Sequence, residues 1–242
     1  MKPKTVDELK VALFADGADL GGMLEMSKKP YVKGFTTNPS LMRKAGVSDY
    51  LSFAKEVLSH IPDRPISFEV FADEPVEMER QARILTKLGS NVSVKIPITN
   101  TCAEPMGKLI RQLTSEGVSV NVTAMMTLEQ LKYVLDHFDL HGQTCYVSLF
   151  AGRIADTGID PMPLMAEAVS MLKATPTVEL IWASCREVLN IFQADDIGCH
   201  VITVTNDVLG KLNLVGKDLV DYSLDTVKSF YADGAAAGYS LA

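Results

Sequence analysis

Lys95 sits inside the run Val92-Ser-Val-Lys-Ile-Pro97, with apolar residues on both sides of it. A lysine amine in apolar surroundings is a candidate nucleophile for a carbonyl carbon, because desolvation and neighbouring cations favour the neutral form that attacks. Two acids, Asp16 and Glu69, stand in comparable apolar runs and could divide the proton transfers, one acting directly and one through a water. A lysine at a strand end that salt-bridges outward has the same local signature, so this segment alone leaves both open. Other polar residues recur at corresponding places: Thr36-Thr37-Asn38, Asn121 and Thr123, Ser148, then Ser184 and Arg186. Each would be costly to bury without partners, and their recurrence at one level of the chain's pattern carries more information than any single residue.

The elements that must position these residues are short β-branched runs: Val11–Ala15, Val32–Thr36, Ile66–Ala72, Val92–Ile96, Val118–Val122, Cys145–Phe150, Val178–Ala183 and His200–Val204. They are continuous rather than alternating, as strands covered on both faces are. Helix signals fill the intervals. Pro75-Val-Glu-Met-Glu opens a segment that ends at Leu88-Gly89, and Thr127-Leu-Glu-Gln forms a capping box. Pro161–Ala174 and Cys185–Ile197 place apolar residues at helical spacing, and Ser223–Tyr239 reads as one further helix that fades in Gly234-Ala-Ala-Ala-Gly238. Gly21-Gly22 reads as a loop or a weak point in a helix.

Strand–helix alternation implies parallel strands with right-handed crossovers. Eight units favour a closed (β/α)8 TIM barrel with an additional C-terminal helix over an open sheet, and no strand is followed by the G-x-G-x-x-G of a dinucleotide fold. No linker, low-complexity tract or repeat divides the sequence, so one domain over 1–242 is expected. In such a barrel the polar residues above fall at the C-terminal strand ends, where active sites of this architecture lie.

The 242 residues are 47% hydrophobic and 22% charged, ordinary values for a globular protein that buries a large core. A net charge of -7 argues against nucleic acid or an anionic membrane as partner, while leaving room for a locally basic pocket. No run reaches the roughly 20 apolar residues of a membrane span, and the first 20 residues lack the apolar core of a signal peptide. The four cysteines show no paired spacing, which suits free thiols in a cytoplasmic protein. His137 and His141 are four apart but have no evident third ligand, so a solvated pair is expected and no metal site. Trp182 is expected to pack beneath the end of the seventh strand, and the methionines to fill the core.

Five motifs, in order, resemble the transaldolase family, including its shorter fructose-6-phosphate aldolase-like branch. They are Thr36-Thr-Asn-Pro-Ser40, Val94-Lys-Ile-Pro97, Asn121-Val-Thr123, Ser148-Leu-Phe-Ala-Gly-Arg-Ile154 and Ala183-Ser-Cys-Arg186, and the resemblance runs from about Val11 to Leu209. It implies a class I aldol mechanism with no metal and no organic cofactor. Lys95 would form a Schiff base with a ketose C2, and Asp16 would take the C4 hydroxyl proton as the C3–C4 bond breaks. Glu69 and Thr123 would position a proton-shuttling water. Asn38, Asn121 and Ser148 would hold the dihydroxyacetone hydroxyls, and Arg153, Ser184 and Arg186 the sugar phosphate. The alternative for the arginines is a pair of salt bridges, Arg153 with nearby Asp156 and Arg186 with adjoining Glu187.

Within the family, Glu69 matches the transaldolases, whereas the aldolases have Gln there. The aldolases also carry a water-holding tyrosine at the position of Phe150. Transfer of a dihydroxyacetone unit between sugar phosphates is therefore the expected activity. A fructose-6-phosphate aldolase, a transaldolase for an unusual sugar and a non-catalytic sugar-phosphate binder are the alternatives. The chain is shorter than the longer transaldolases and its acceptor-side loops differ. Short members of the family often form rings through their C-terminal helices, so a homo-oligomer is expected.

Overall fold

The computed structural model describes residues 4–241. The one-domain expectation also covers residues 1–3 and 242, which lie outside the described residues. Eight parallel strands pair in sequence order and close on themselves: β1 (Ala12–Asp16), β2 (Val32–Thr36), β3 (Ile66–Glu69), β4 (Val92–Pro97), β5 (Val120–Met125), β6 (Cys145–Leu149), β7 (Val178–Trp182) and β8 (Val201–Thr205). Helices α1 (Leu20–Ser27), α2 (Pro39–Lys44), α3 (Tyr50–His60), α4 (Pro75–Thr86), α5 (Gly107–Ser115) and α6 (Leu128–Leu135) cover the first half of the barrel. The second half carries α7 (Ala151–Asp156), α8 (Met162–Leu172), α9 (Val188–Asp196), α10 (Asn206–Leu209) and the tail helix α11 (Leu219–Ala236). The expected TIM barrel with a C-terminal helix is what the chain forms.

Each expected strand is present, with ends that shift by a few residues. The third stops at Glu69 rather than running to Ala72, and the fifth begins at Val120 and reaches Met125. The expected helices are likewise present, and α11 passes through Gly234 before ending at Ala236. Gly21-Gly22 lies in the first turn of α1, where Asp19 caps the helix by accepting from the Gly22 amide at 2.7 Å. Thr127 and Gln130 form the expected capping box of α6.

The main core lies between the sheet and the helices. A smaller cluster of Phe14, Tyr146, Ile181, Ala183 and Val201 fills the inside of the barrel. Phe14 meets Tyr146 edge to face at 6.0 Å. The Phe14 ring needs the missing side chain of Gly34, because a Cβ there would lie 2.5 Å from its Cζ. Trp182 is 1% exposed, packed as expected. Among the described residues no helix is long and apolar enough to cross a membrane.

Register sets the level of the polar residues. Asp16 pairs with Thr36 across β1 and β2, Glu69 with Lys95 across β3 and β4, and Lys95 with Asn121 across β4 and β5. Because neighbours in a parallel pair at matched register present their side chains to the same face, these residues all point into the barrel at one height. The β5–β6 register shifts between Val122 and Met125, and Ala124 there has φ 63. Thr123 faces inward by the same alternation as Asn121, and the irregularity after it turns Met125 into the main core.

Candidate active site

A cavity of about 110 Å³ opens at the C-terminal strand ends, lined by Asp16, Asn38, Lys95, Thr123, Ser148 and Arg153 together with Thr36, Phe150, Ala183, Ser184 and Thr203. Two cavities of about 430 Å³ open near the N-terminal strand ends, one beside Lys10 and Tyr31 and the other beside Ser93 and Tyr146. Size does not mark the site in this molecule, since neither larger cavity holds a lysine and carboxylates on facing strands. The smaller one collects seven of the ten residues the sequence singled out; Glu69, Asn121 and Arg186 stand behind or beside its lining.

Lys95 is 6% exposed. Its Nζ donates to the Thr37 carbonyl oxygen at 2.9 Å and lies 3.0 Å from Glu69 Oε2. Of the two options left open for this lysine, the inward one is realised. Tyr50 donates to the Glu69 backbone oxygen at 2.7 Å, which anchors the strand end that carries the carboxylate.

Asp16 is enclosed by protein except on the side that meets the cavity. Burial pushes its carboxyl above the ordinary value of 3.8; the Lys95 charge and the Thr36 hydroxyl oppose that rise, and the Glu69 charge adds to it. Thr36 Oγ1 donates to Asp16 Oδ1 at 2.7 Å and is itself in hydrogen-bond contact with Thr203 Oγ1.

Thr123 is 1% exposed, and its hydroxyl has no hydrogen-bond partner among the described residues. Ser148 donates to Asn121 Oδ1 at 2.8 Å, and Asn121 Nδ2 donates to Ser67 Oγ at 3.1 Å. Asn121 is thus engaged on both sides of its amide below the cavity, holding Ser148 at its edge. Asn38 caps α2 through Oδ1, accepting from the Leu41 amide at 2.9 Å, which leaves its NH2 group for the cavity.

At the rim, Arg153 lies over the Phe150 ring, its guanidinium carbon 5.3 Å from the centroid. Arg186 pairs with Asp156 rather than with adjoining Glu187, so the salt bridges suggested by chain proximity are not the ones formed. Ser184 takes a left-handed conformation with φ 65, and its carbonyl presses against Gly152, where a Cβ would sit 1.6 Å from the oxygen. Glycine at 152 is therefore required to bring the Arg153 turn against the Ser184 turn.

His137 is half-buried, with Nδ1 2.8 Å from the Tyr133 carbonyl oxygen, and His141 is exposed and pairs with Asp139. They do not form one solvated pair. The four cysteines are free thiols; Cys102 is exposed and the other three are buried.

Thr203, Ser67 and the backbone carbonyl of Thr37 were not singled out from the sequence. The polar threonines alternating with apolar residues in Val201-Ile-Thr-Val-Thr205 are a signal for Thr203. A backbone carbonyl leaves no such trace.

The model of the family described as transaldolase/fructose-6-phosphate aldolase matches residues 13–240. A probable transaldolase of Chelativorans sp. (strain BNC1) is 37% identical over 229 residues, covering 94% of this chain and 98% of the relative. One of Brucella ovis (strain ATCC 25840 / 63/290 / NCTC 10512) is 34% identical over 230 residues, covering 95% and 99%. Among solved structures, a dihydrodipicolinate synthase from Rhodopseudomonas palustris superimposes with a TM-score of 0.56 at 12% identity, covering 93% of this chain and 81% of that one, which shows the shared barrel and no more. By its matched length and by its relatives, this chain belongs to the transaldolase/fructose-6-phosphate aldolase family.

Proposed function

We propose that the protein is a transaldolase that moves a dihydroxyacetone unit from a ketose phosphate to an aldose phosphate through a Schiff base on Lys95. The observation that carries this reading is the placement of Lys95 Nζ, buried at the cavity and 3.0 Å from the Glu69 carboxylate. A binding protein has no need of a lysine held in this way.

Glu69 takes a proton from the Lys95 ammonium, and the amine attacks the ketose C2 carbonyl. Loss of water, with protons passed through Glu69 and a water held by Thr123, gives the protonated imine. The unpartnered Thr123 hydroxyl supports that role. Asp16 then takes the C4 hydroxyl proton, the C3–C4 electron pair moves into the imine, and the aldehyde product leaves an enamine on Lys95. The acceptor aldehyde undergoes the reverse steps: the enamine attacks its carbonyl carbon, Asp16 returns the proton to the new hydroxyl, and water releases the product ketose.

Asn38 and Ser148 at the cavity hold the dihydroxyacetone hydroxyls, with Asn121 holding Ser148. Arg153, Ser184 and Arg186 bind the phosphate, for which guanidinium forks suit a dianion. Transfer is favoured over hydrolytic release by Phe150, a cavity residue with no hydroxyl to hold a water. The protein also self-associates through α11, which buries none of its residues on its own barrel.

Incubation with fructose 6-phosphate, with and without erythrose 4-phosphate, tests the reading. Turnover that requires the acceptor supports transfer. Acceptor-independent release of dihydroxyacetone assigns an aldolase, and no turnover in either case removes the proposal for these sugars.

A further inference from the structure

Beneath Asp16 the inside of the barrel is built in layers. The Phe14 ring lies against Gly34, and the side chains of Thr36 from β2 and Thr203 from β8 meet on either side of β1, the strand that carries both Phe14 and Asp16. Both hydroxyls are buried, with Thr36 at 1% and Thr203 at 7% exposure. Proton counting orders this chain. A threonine hydroxyl has one hydrogen, and that of Thr36 is given to Asp16 Oδ1 at 2.7 Å. The Thr36 oxygen can therefore only accept from Thr203, so Thr203 donates to Thr36 and Thr36 donates to the carboxylate.

We infer that Thr203 is a positioning residue which, through Thr36, holds and polarises the Asp16 carboxylate so that its second oxygen faces the substrate. This deepens the proposed function and rests on Asp16 being the proton acceptor. A hydroxyl that accepts one hydrogen bond is a stronger donor in the next, so the bond from Thr203 strengthens the one that Thr36 gives to Oδ1. The arrangement also serves the protonated state. When Asp16 has taken the C4 proton on the oxygen that faces the substrate, Oδ1 is the carbonyl oxygen of the acid and still accepts from Thr36, so the donor chain keeps its direction and no heavy atom moves.

Other charges reach Asp16 from around the barrel: Lys95 on β4 and Glu69 on β3 act on it directly, and Arg153 on α7 lines the same cavity. On α10, which packs against β1, Asp207 is held by the Thr205 hydroxyl. None of these contacts Oδ1. Removal of the Thr203 hydroxyl therefore leaves the charged surroundings unchanged while the donor chain loses its outer member.

The test compares Thr203→Val, which keeps the shape, with Thr203→Ser, which keeps the hydroxyl, in the full-length enzyme. Thr203→Val is expected to lower kcat roughly 2- to 12-fold with little change in KM, as the loss of one hydrogen bond does. It should also move the acidic limb of the kcat/KM profile to higher pH, because a carboxylate with weaker donors holds its proton longer. Thr203→Ser should restore both. In an Asp16→Asn background, Thr203→Val should have no further effect on the residual rate. A wild-type rate and pH profile for Thr203→Val, with Asp16→Asn inactive, overturns the inference and leaves the function standing. Equal loss in Thr203→Val and Thr203→Ser with an unmoved pH limb assigns Thr203 to packing and likewise overturns it. An active Asp16→Asn enzyme overturns the functional reading and this inference together.

Discussion

Arg186 is bound at two points by Asp156: Nε donates to Oδ1 at 3.2 Å, and Nη2 bonds to Oδ2. The acid comes from the last turn of α7, thirty positions earlier in the chain, and both partners are about half exposed. An exposed pair contributes only ~0–1 kcal/mol to stability, so its removal should leave the fold intact. For a phosphate, however, Asp156 is a competitor for the same guanidinium fork. Asp156→Asn should lower KM for phosphorylated sugars, whereas Arg186→Ala should lower their kcat/KM roughly 10–150-fold, the value of a charge-assisted bond. Unphosphorylated fructose or dihydroxyacetone should respond far less to either change. Equal losses on both substrate types would make Arg186 a structural residue and remove the phosphate assignment.

Lys95 should be trapped by borohydride in the presence of fructose 6-phosphate, with the mass of its peptide raised by a reduced dihydroxyacetone unit. Lys95→Met should abolish turnover, and chelators should have no effect on the native enzyme. Peptide mass spectrometry decides the point, and label on any other lysine would falsify the mechanism.

Asp16 links activity to stability through pH. Burial raises its carboxyl above 3.8, so between that value and the raised one the folded protein holds more protons than the unfolded chain. Where the native state binds more protons, stability falls as pH rises. The contribution of this group is therefore greatest below about pH 4 and is lost as pH climbs through the raised value. Asp16→Asn should lower kcat by about 10²–10⁴-fold and, in urea titrations, gain stability on the wild type as pH rises through that window. A stability difference that does not vary with pH would show that the buried carboxylate carries no penalty.

Phe150 lines the cavity, and the Arg153 guanidinium, which lines it too, lies over its ring. Phe150→Tyr should place a hydroxyl near the water assigned to Glu69 and Thr123, and raise hydrolytic release of dihydroxyacetone relative to transfer. The ratio of free dihydroxyacetone to transferred product measures this. An unchanged ratio would mean that the ring does not face that water, and Phe150 would then not favour transfer over hydrolysis.

The tail helix exposes Leu219 at 79%, Val220 at 77%, Val227 at 61%, Phe230 at 71% and Tyr231 at 81%. Apolar surface of this extent on one element marks an interaction site. The full-length chain should run as an oligomer in light-scattering chromatography, and a chain ending at Lys217 should run as a monomer. Because α11 buries nothing on its own barrel, the truncated protein should keep its helical circular dichroism per remaining barrel residue and unfold cooperatively. A monomeric full-length protein would refute self-association through this helix.

Much of the barrel is legible in the sequence because a strand covered on both faces needs β-branched residues throughout, so Val178–Trp182 and Cys145–Leu149 stand out without knowledge of their neighbours. Lys95, Asp16 and Glu69 are legible for the opposite reason: charged groups in apolar runs demand an explanation. Strand ends are less so, since the chain from Val70 to Ala72 is as apolar as the strand before it, and β3 stops because the Phe71 and Ala72 amides turn to the Gln81 side-chain oxygen instead of a neighbouring strand. The partners of the polar groups are decided by tertiary structure alone. Thr203 reaches Thr36 only because β8 closes onto β1, a contact across 167 positions of sequence. Arg186 takes Asp156 and not Glu187 because the left-handed turn at Ser184 and the bare Gly152 bring α7 against the end of β7. Residue type tells which groups must be satisfied, and the closure and register of the barrel determine which group satisfies which.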